Sequence, residues 1–179
     1  MTGQSFSLIP FSETNVPDIS IQGKILRQNN VLIIHYMLHG KTEDIFLPSP
    51  SINPTRREEL WTTTCLEFFL AVKDSPEYWE FNFSPSGDWN IFRMDAYRQI
   101  GFKEETLIQH LSFKVQKDID VFALNAGIDL DPIVRPGQVL EVGIAAIIQS
   151  RNGNETYWAL HHPGPQADFH SRGSFTIVV

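Results

Sequence analysis

Two groups of side chains in this sequence have the types and spacing of a working site. In the first, Trp61 stands six positions before Glu67, and Asn82, Trp89 and Arg93 follow within a short stretch of chain. An aromatic ring offers a stacking surface, while a carboxylate, an amide and a guanidinium offer hydrogen-bond acceptors and donors. That mixture suits a ligand with a weakly apolar face and a rim of hydroxyl groups, which is what a sugar presents. The second group is His161, His162, Asp168 and His170, gathered around the turn-prone Pro163-Gly164-Pro165. Imidazole and carboxylate together suit a metal such as zinc or iron.

Each group also has a plainer explanation. The solvent face of a sheet is ordinarily polar, and an aromatic there often protects an edge. Adjacent histidines of one strand point to opposite faces, so only one of His161 and His162 can join a common site. His161 is in phase with Tyr157 and Ala159 and is the one expected to face a ligand, with His162 capping the strand end. Asp168 and His170 would equally serve to tie down a closing loop through bonds to backbone. For haem the axial candidates are Met37, Met94, His35 and His110. His35 and Met37 share strand parity but lie too close along one strand to clasp both sides of a porphyrin, and core packing explains the methionines.

Catalysis has fewer supports. Glu67 and Glu80 fall on one predicted face, as an acid and base pair would, but Arg93 is predicted beside Glu80, and an arginine partner holds a carboxylate ionised. Cys65 has no neighbours that forecast a thiolate and reads as a small buried hydrophobe. No Gly-x-Ser-x-Gly, phosphate-cradling loop or dinucleotide fingerprint occurs. The expectation is a protein that is not an enzyme and needs no cofactor, with haem or a divalent metal as the alternative.

The elements that must position these residues are strands. Apolar alternation marks Ile19–Arg27, Val31–His39, Leu60–Val72, Tyr78–Ser84, Trp89–Met94, Ile119–Ala126, Leu140–Ile148, Tyr157–His161 and Ser174–Val178, with Gly and Pro as punctuation between them. Phe102–Leu111 carries the spacing of one short helix. In Leu60–Val72 the core set is Leu66, Phe68, Leu70 and Val72, leaving Trp61, Cys65, Glu67 and Phe69 on the other face. A four-residue loop, Lys73 to Pro76, pairs Leu66 with Phe83, Phe68 with Phe81 and Leu70 with Trp79, and so sets Glu67 opposite Asn82. A second four-residue loop, Pro85 to Asp88, would place Trp89 opposite Ser84, Ile91 opposite Asn82 and Arg93 opposite Glu80. The outer face of three strands would then hold Trp61, Glu67, Asn82, Trp89 and Arg93 together.

Composition narrows the class. At 179 residues the chain is expected to form one domain spanning 1–179. Apolar residues at 42% against 20% charged argue for a packed core, and a formal charge of -7 disfavours nucleic acid and anionic membranes as partners. One cysteine excludes an intrachain disulfide or a thiolate cluster. No basic, apolar leader opens the sequence, and no run approaches the roughly 20 apolar residues of a membrane span. A cytoplasmic location is the resulting expectation.

Three islands of sequence give a resemblance. Trp61-Thr62-Thr63-Thr64-Cys65-Leu66-Glu67-Phe68-Phe69-Leu70, the hairpin Tyr78-Trp79-Glu80-Phe81-Asn82-Phe83-Ser84-Pro85-Ser86-Gly87-Asp88-Trp89, and the closing Tyr157-Trp158-Ala159-Leu160-His161-His162-Pro163 with Asp168-Phe169-His170 resemble the DOMON-like superfamily, and within it domains similar to family 9 carbohydrate-binding modules. The resemblance implies an all-β, jelly-roll-like antiparallel β-sandwich that binds a small carbohydrate without catalysis. Two aromatics would sandwich the sugar, Trp61 being the first and Trp89, Tyr157 or Trp158 the second. Glu67, Asn82, Arg93 and Asn154 would bind hydroxyls, with His161 or His170 at the rim. No acidic cluster matches the structural calcium site common in those modules. Two further readings stand beside it, a haem or metal redox module and a sandwich whose polar face meets a protein partner.

Overall fold

A computed structural model describes residues 3–98 and 102–179. Among these residues the regular structure is antiparallel strand, relieved by three single turns of 3-10 helix. The strands are β1 (Gln4–Pro10), β2 (Ile19–Gln28), β3 (Val31–Gly40), β4 (Cys65–Val72), β5 (Tyr78–Phe83), β6 (Trp89–Met94), β7 (Lys103–Glu104), β8 (Phe113–Asp118), β9 (Val121–Asp129), β10 (Leu140–Gln149), β11 (Glu155–Ala159) and β12 (Ile177–Val178). They run in the order β7-β6-β5-β4-β10-β11-β1-β2-β3-β9-β8, with β12 added beside β10. The sequence expectation of an all-β sandwich holds. No helix of the described residues is long and apolar enough to cross a membrane.

β1 explains how one sheet makes two layers. Its first part, Gln4 to Leu8, pairs with β2, while Ile9 and Pro10 pair with β11. The sheet therefore curls on itself, and the inward residues of both halves meet in one core. Phe68 of β4 stacks on Phe81 of β5 at 4.3 Å between ring centroids, and Leu32, Ile34 and Leu38 of β3 are fully buried opposite. Tyr36 of β3 crosses the core to donate its hydroxyl to the Glu67 carbonyl at 2.7 Å. That bond satisfies a buried polar group and ties the layers together behind Glu67. Gly23 of β2 sits where a Cβ would come within 1.9 Å of the His35 carbonyl oxygen, so only glycine permits the close approach of β3.

The first hairpin has the register read from the sequence. Leu66 pairs with Phe83, Glu67 with Asn82, Phe68 with Phe81 and Leu70 with Trp79. The second differs by one residue, because its loop has five residues, Ser84 to Asp88, and Phe83 pairs with Trp89. Ser84 closes the turn, its N–H donating to the Asp88 carbonyl at 2.9 Å, while Gly87 adopts φ +95°. The buried Asp88 carboxylate then accepts from Ser51, Ser86 and the Thr55 N–H. A shift of one residue exchanges the faces of the whole strand. Trp89 and Ile91 enter the core, whereas Asn90, Phe92 and Met94 turn outward.

Two other segments depart from expectation. Phe102–Leu111 forms no helix. Lys103 and Glu104 extend the sheet as β7, and the Glu105 carboxylate is held by Trp79 Nε1 at 3.0 Å and the Leu107 N–H at 2.8 Å. These bonds to β5 and to the next turn keep the chain extended across the sheet. At the start of the long strand forecast from Leu60, residues Leu60–Thr62 instead form a 3-10 turn, entered through Glu59 in the left-handed conformation at φ 58°. β1 and β8 carry too mixed a pattern for alternation to reveal them, burying few of their residues.

Candidate functional site

The outer face of β4, β5 and β6 is not a solvent face. Every residue of Cys65 to Ala71 and Tyr78 to Phe83 is buried, inward and outward alike. A second apolar cluster, including Phe69, Tyr78, Phe92 and Phe175, covers this face, with Trp61 and Phe169 packed at its margin. Between these rings opens a cleft of about 510 Å³.

Strand order sets its plan. Phe92 of β6 and Phe102 just before β7 stand at one side, where Trp61 packs edge-on against both at 5.7 and 6.4 Å. Tyr157 of β11 stands at the other side, its ring 6.2 Å from Phe169. Between them, Glu80 of β5 and Glu67 of β4 form the polar part of the floor, and Asp168, Phe169 and His170 form a wall.

The floor is unusual in its polar accounting. Glu67 is 2% exposed and Glu80 9%. Asn82 donates its amide to Glu80 Oε1 at 2.8 Å and receives the Cys65 thiol at 3.7 Å. His170 places Nε2 3.9 Å from Glu80 Oε2 and hydrogen-bonds the Tyr78 hydroxyl at 3.0 Å through Nδ1. Asp168 accepts from the Tyr97 hydroxyl at 2.6 Å and from Arg98 at 2.9 Å. Glu67 Oε1 is buried and has no hydrogen-bond partner among the described residues.

These surroundings set the protonation of the site. Burial, with the neighbouring Glu80 carboxylate, drives Glu67 well above the ordinary carboxylate range. Glu80 is raised by burial, with His170 and the Asn82 amide working against it. Asp168 goes the other way, because the Tyr97 and Arg98 bonds outweigh its burial. Burial and the two glutamates push the Cys65 thiol far up, which keeps it protonated and unreactive. The Tyr78 hydroxyl rises to about 12, chiefly by burial.

Of the residues singled out in the sequence, Trp61, Glu67, Tyr157 and His170 line this cleft, and Asn82 lies under it, bonded to Glu80. The others are elsewhere. Trp89 is a core residue with the Arg56 guanidinium over its ring at 4.3 Å, a consequence of the five-residue loop. The same shift takes Arg93 to the rim of the sheet, where it pairs with Glu77 and Asp95 rather than Glu80. Without that arginine, Glu80 is raised rather than lowered. Trp158 points into the core and donates to Thr156 Oγ1 at 3.0 Å. Asn154 belongs to the turn before β11, where its amide donates to the Asn15 carbonyl at 3.1 Å. His161 is exposed, because β11 ends at Ala159 and the parity that linked it to Tyr157 is lost.

The cleft also uses residues that pattern reading did not select. Phe92 was hidden by the register, Phe102 by the helical spacing, and Arg98 gave no signal. Met94, considered as an axial ligand, lines the cleft. His35 and Met37 lie on one face of β3, bordering a separate shallow groove. Among the described residues no group of three or more His, Cys, Asp or Glu side chains is gathered to hold a metal ion.

No protein-family model and no curated protein matches the sequence. Solved structures do match by shape. A candidate carbohydrate-binding protein from Bacteroides uniformis superposes with a TM-score of 0.71 at 11% identity, over 97% of this chain and 84% of that one. A family 9 carbohydrate-binding module from Caldicellulosiruptor kristjanssonii in complex with cellotriose gives 0.58 at 13% identity, over 97% and 80%. The fold is that of family 9 carbohydrate-binding modules. A module of that family from the same organism in complex with glucose gives 0.52 at 13% identity, over 85% of this chain and 72% of that one.

Proposed function

We propose that this protein is a noncatalytic carbohydrate-binding domain whose sugar lies in the cleft over Glu67 and Glu80. The observation that carries the reading is the joining, in one cleft, of aromatic rings on both sides with an unpartnered buried carboxyl oxygen on the floor. Rings supply surfaces for the C–H face of a pyranose, and the carboxyl oxygen can accept from a hydroxyl. The likeness to modules solved with glucose and cellotriose supports the same ligand class. Trp61 stacks on the sugar in this reading, and Tyr157 closes the opposite side.

The raised pair of carboxyls favours one competitor, glycoside hydrolysis. An acid and its partner carboxylate must flank the scissile bond. Glu67 and Glu80 rise from the same face of neighbouring strands, and in the proposed reading they form one floor that binds the sugar without cleaving it.

Titration calorimetry against mono- and oligosaccharides tests the proposal. Binding weakened at least about tenfold, or ~1.4 kcal/mol, by Trp61→Ala and by Glu67→Ala is the expected result. Absence of binding across the panel would sink it, and release of nitrophenol from aryl glycosides would replace it with the hydrolytic reading.

A further inference from the structure

Three carboxyl groups face the cleft, and the protein satisfies two of them. Asp168 has the Arg98 guanidinium and the Tyr97 hydroxyl. Glu80 has the Asn82 amide and the nearby His170 ring. Glu67 has no ion-pair partner among the described residues, and its Oε1 has no hydrogen bond, the neighbouring Cys65 thiol being a weak donor that is directed at Asn82 Oδ1, although Glu67 is the most deeply buried of the three. A buried acceptor left unsatisfied is costly, and more so if it is charged. Such a group on the floor of an open cleft asks for a donor carried by the ligand.

The surroundings favour a cationic donor over a neutral one. An ammonium there would hold Glu67 in its ionised form, against the burial and the Glu80 charge that favour its proton, through a charge-assisted hydrogen bond roughly twice as strong as a neutral one. The rings of Trp61, Phe69 and Tyr157 line the same cleft, and an aromatic face attracts a cation that comes within about 6 Å of it. The two basic side chains lining the cleft are engaged elsewhere, Arg98 by Asp168 and His170 between Glu80 and Tyr78. The whole chain, at -7, adds a field of the same sign.

Building on the carbohydrate reading, we infer that the cleft takes an amino sugar, with its protonated amine seated at Glu67. A hydroxyl at that position makes the same contact without the charge, so neutral sugars are the weaker ligands.

Calorimetry at neutral pH on the full chain, with sugars taken in matched sets, tests this. Each set holds an amino sugar, its parent hydroxy sugar and its N-acetyl derivative, in the gluco and galacto series and as short β-1,4 oligomers. In the set that fits the cleft, the free amine is expected to bind at least about tenfold tighter than both neutral members. High salt should narrow the gap by screening. Glu67→Gln should erase it, with a thermal melt showing that the variant is folded. Equal affinities within a set that binds, or a gap that survives Glu67→Gln, would overturn the amino-sugar assignment and leave the carbohydrate reading standing. Failure of every sugar to bind would remove both.

Discussion

The two faces of the sheet formed by β4, β5 and β6 are both aromatic and both shielded from water, yet one is filled and the other is open. Inward, Phe68 stacks on both Phe81 and Phe83 within the main apolar cluster. Outward, Phe69, Phe92 and Tyr78 share their face with two carboxyls and an amide, and a cleft remains above them. The same residue types therefore serve two ends. Rings packed on all sides contribute cohesion, whereas rings bordering a void keep surface available to a ligand.

That contrast predicts the largest effect. Phe68→Ala removes a fully buried ring from the filled face and should lower the unfolding free energy by roughly 3–5 kcal/mol. Phe92→Ala removes a ring that already has open space on one side, so it should cost about half as much while weakening sugar binding. Urea denaturation followed by circular dichroism, alongside calorimetry of the folded variants, measures both. Equal destabilisation with unaltered binding would show that the outer rings are simply a second core.

The next effect concerns the charge hidden on the open face. Glu67 is raised in the folded state from an ordinary value of 4.5 by burial and by Glu80, so the folded protein holds that proton more tightly than the unfolded chain does. Stability linked to this group is fully present below about pH 4.5 and is lost as pH rises towards the shifted value, at ~1.4 kcal/mol for each unit between the two. Glu67→Gln cannot ionise. Its melting temperature should match the wild type near pH 4 and exceed it increasingly towards neutral pH. The groups facing Glu67 are Cys65, Glu80 and, across the cleft, His170 and Asp168; of these Glu80 is the one that adds to the same trend. A variant less stable than wild type at neutral pH would mean that Glu67 has a cationic partner in the fold after all.

The filled face was easier to read in the sequence than the open one, and the reason lies in parity. In β4 and β5 the heavy residues Leu66, Phe68, Leu70, Trp79, Phe81 and Phe83 form a single pattern that only one loop length satisfies, so Glu67 opposite Asn82 follows. β6 offers Trp89, Ile91, Phe92 and Met94, large apolar groups on both parities, because both of its faces are buried. Alternation cannot choose between them. The choice rests on whether Ser84 belongs to the strand or to the turn, a matter of backbone bonds with Asp88. Tyr157 and Trp158 posed the same ambiguity, and packing of Trp158 against the core resolves it. Trp61 and the Asp168-Phe169-His170 wall stand on irregular chain, where sequence motif marks them but periodicity says nothing of direction.

The smallest expected effect sharpens that point. Under the four-residue loop Arg93 would have reached over the floor, paired with Glu80 and bound the ligand. In the fold it lies at the rim, half-exposed, with Glu77 and Asp95 as partners of similar exposure. Ion pairs of this kind contribute about 0–1 kcal/mol, so Arg93→Ala should change stability by less than 1 kcal/mol, less still in high salt, and leave sugar affinity within about twofold. Glu80 would keep its neighbours Asn82 and His170 in the variant, and its raised carboxyl would be untouched. A loss of binding on removing Arg93 would return β6 to the other register, bringing Trp89 out of the core and Phe92 into it. The sugar titration of this one variant therefore tests which face of β6 looks onto the cleft.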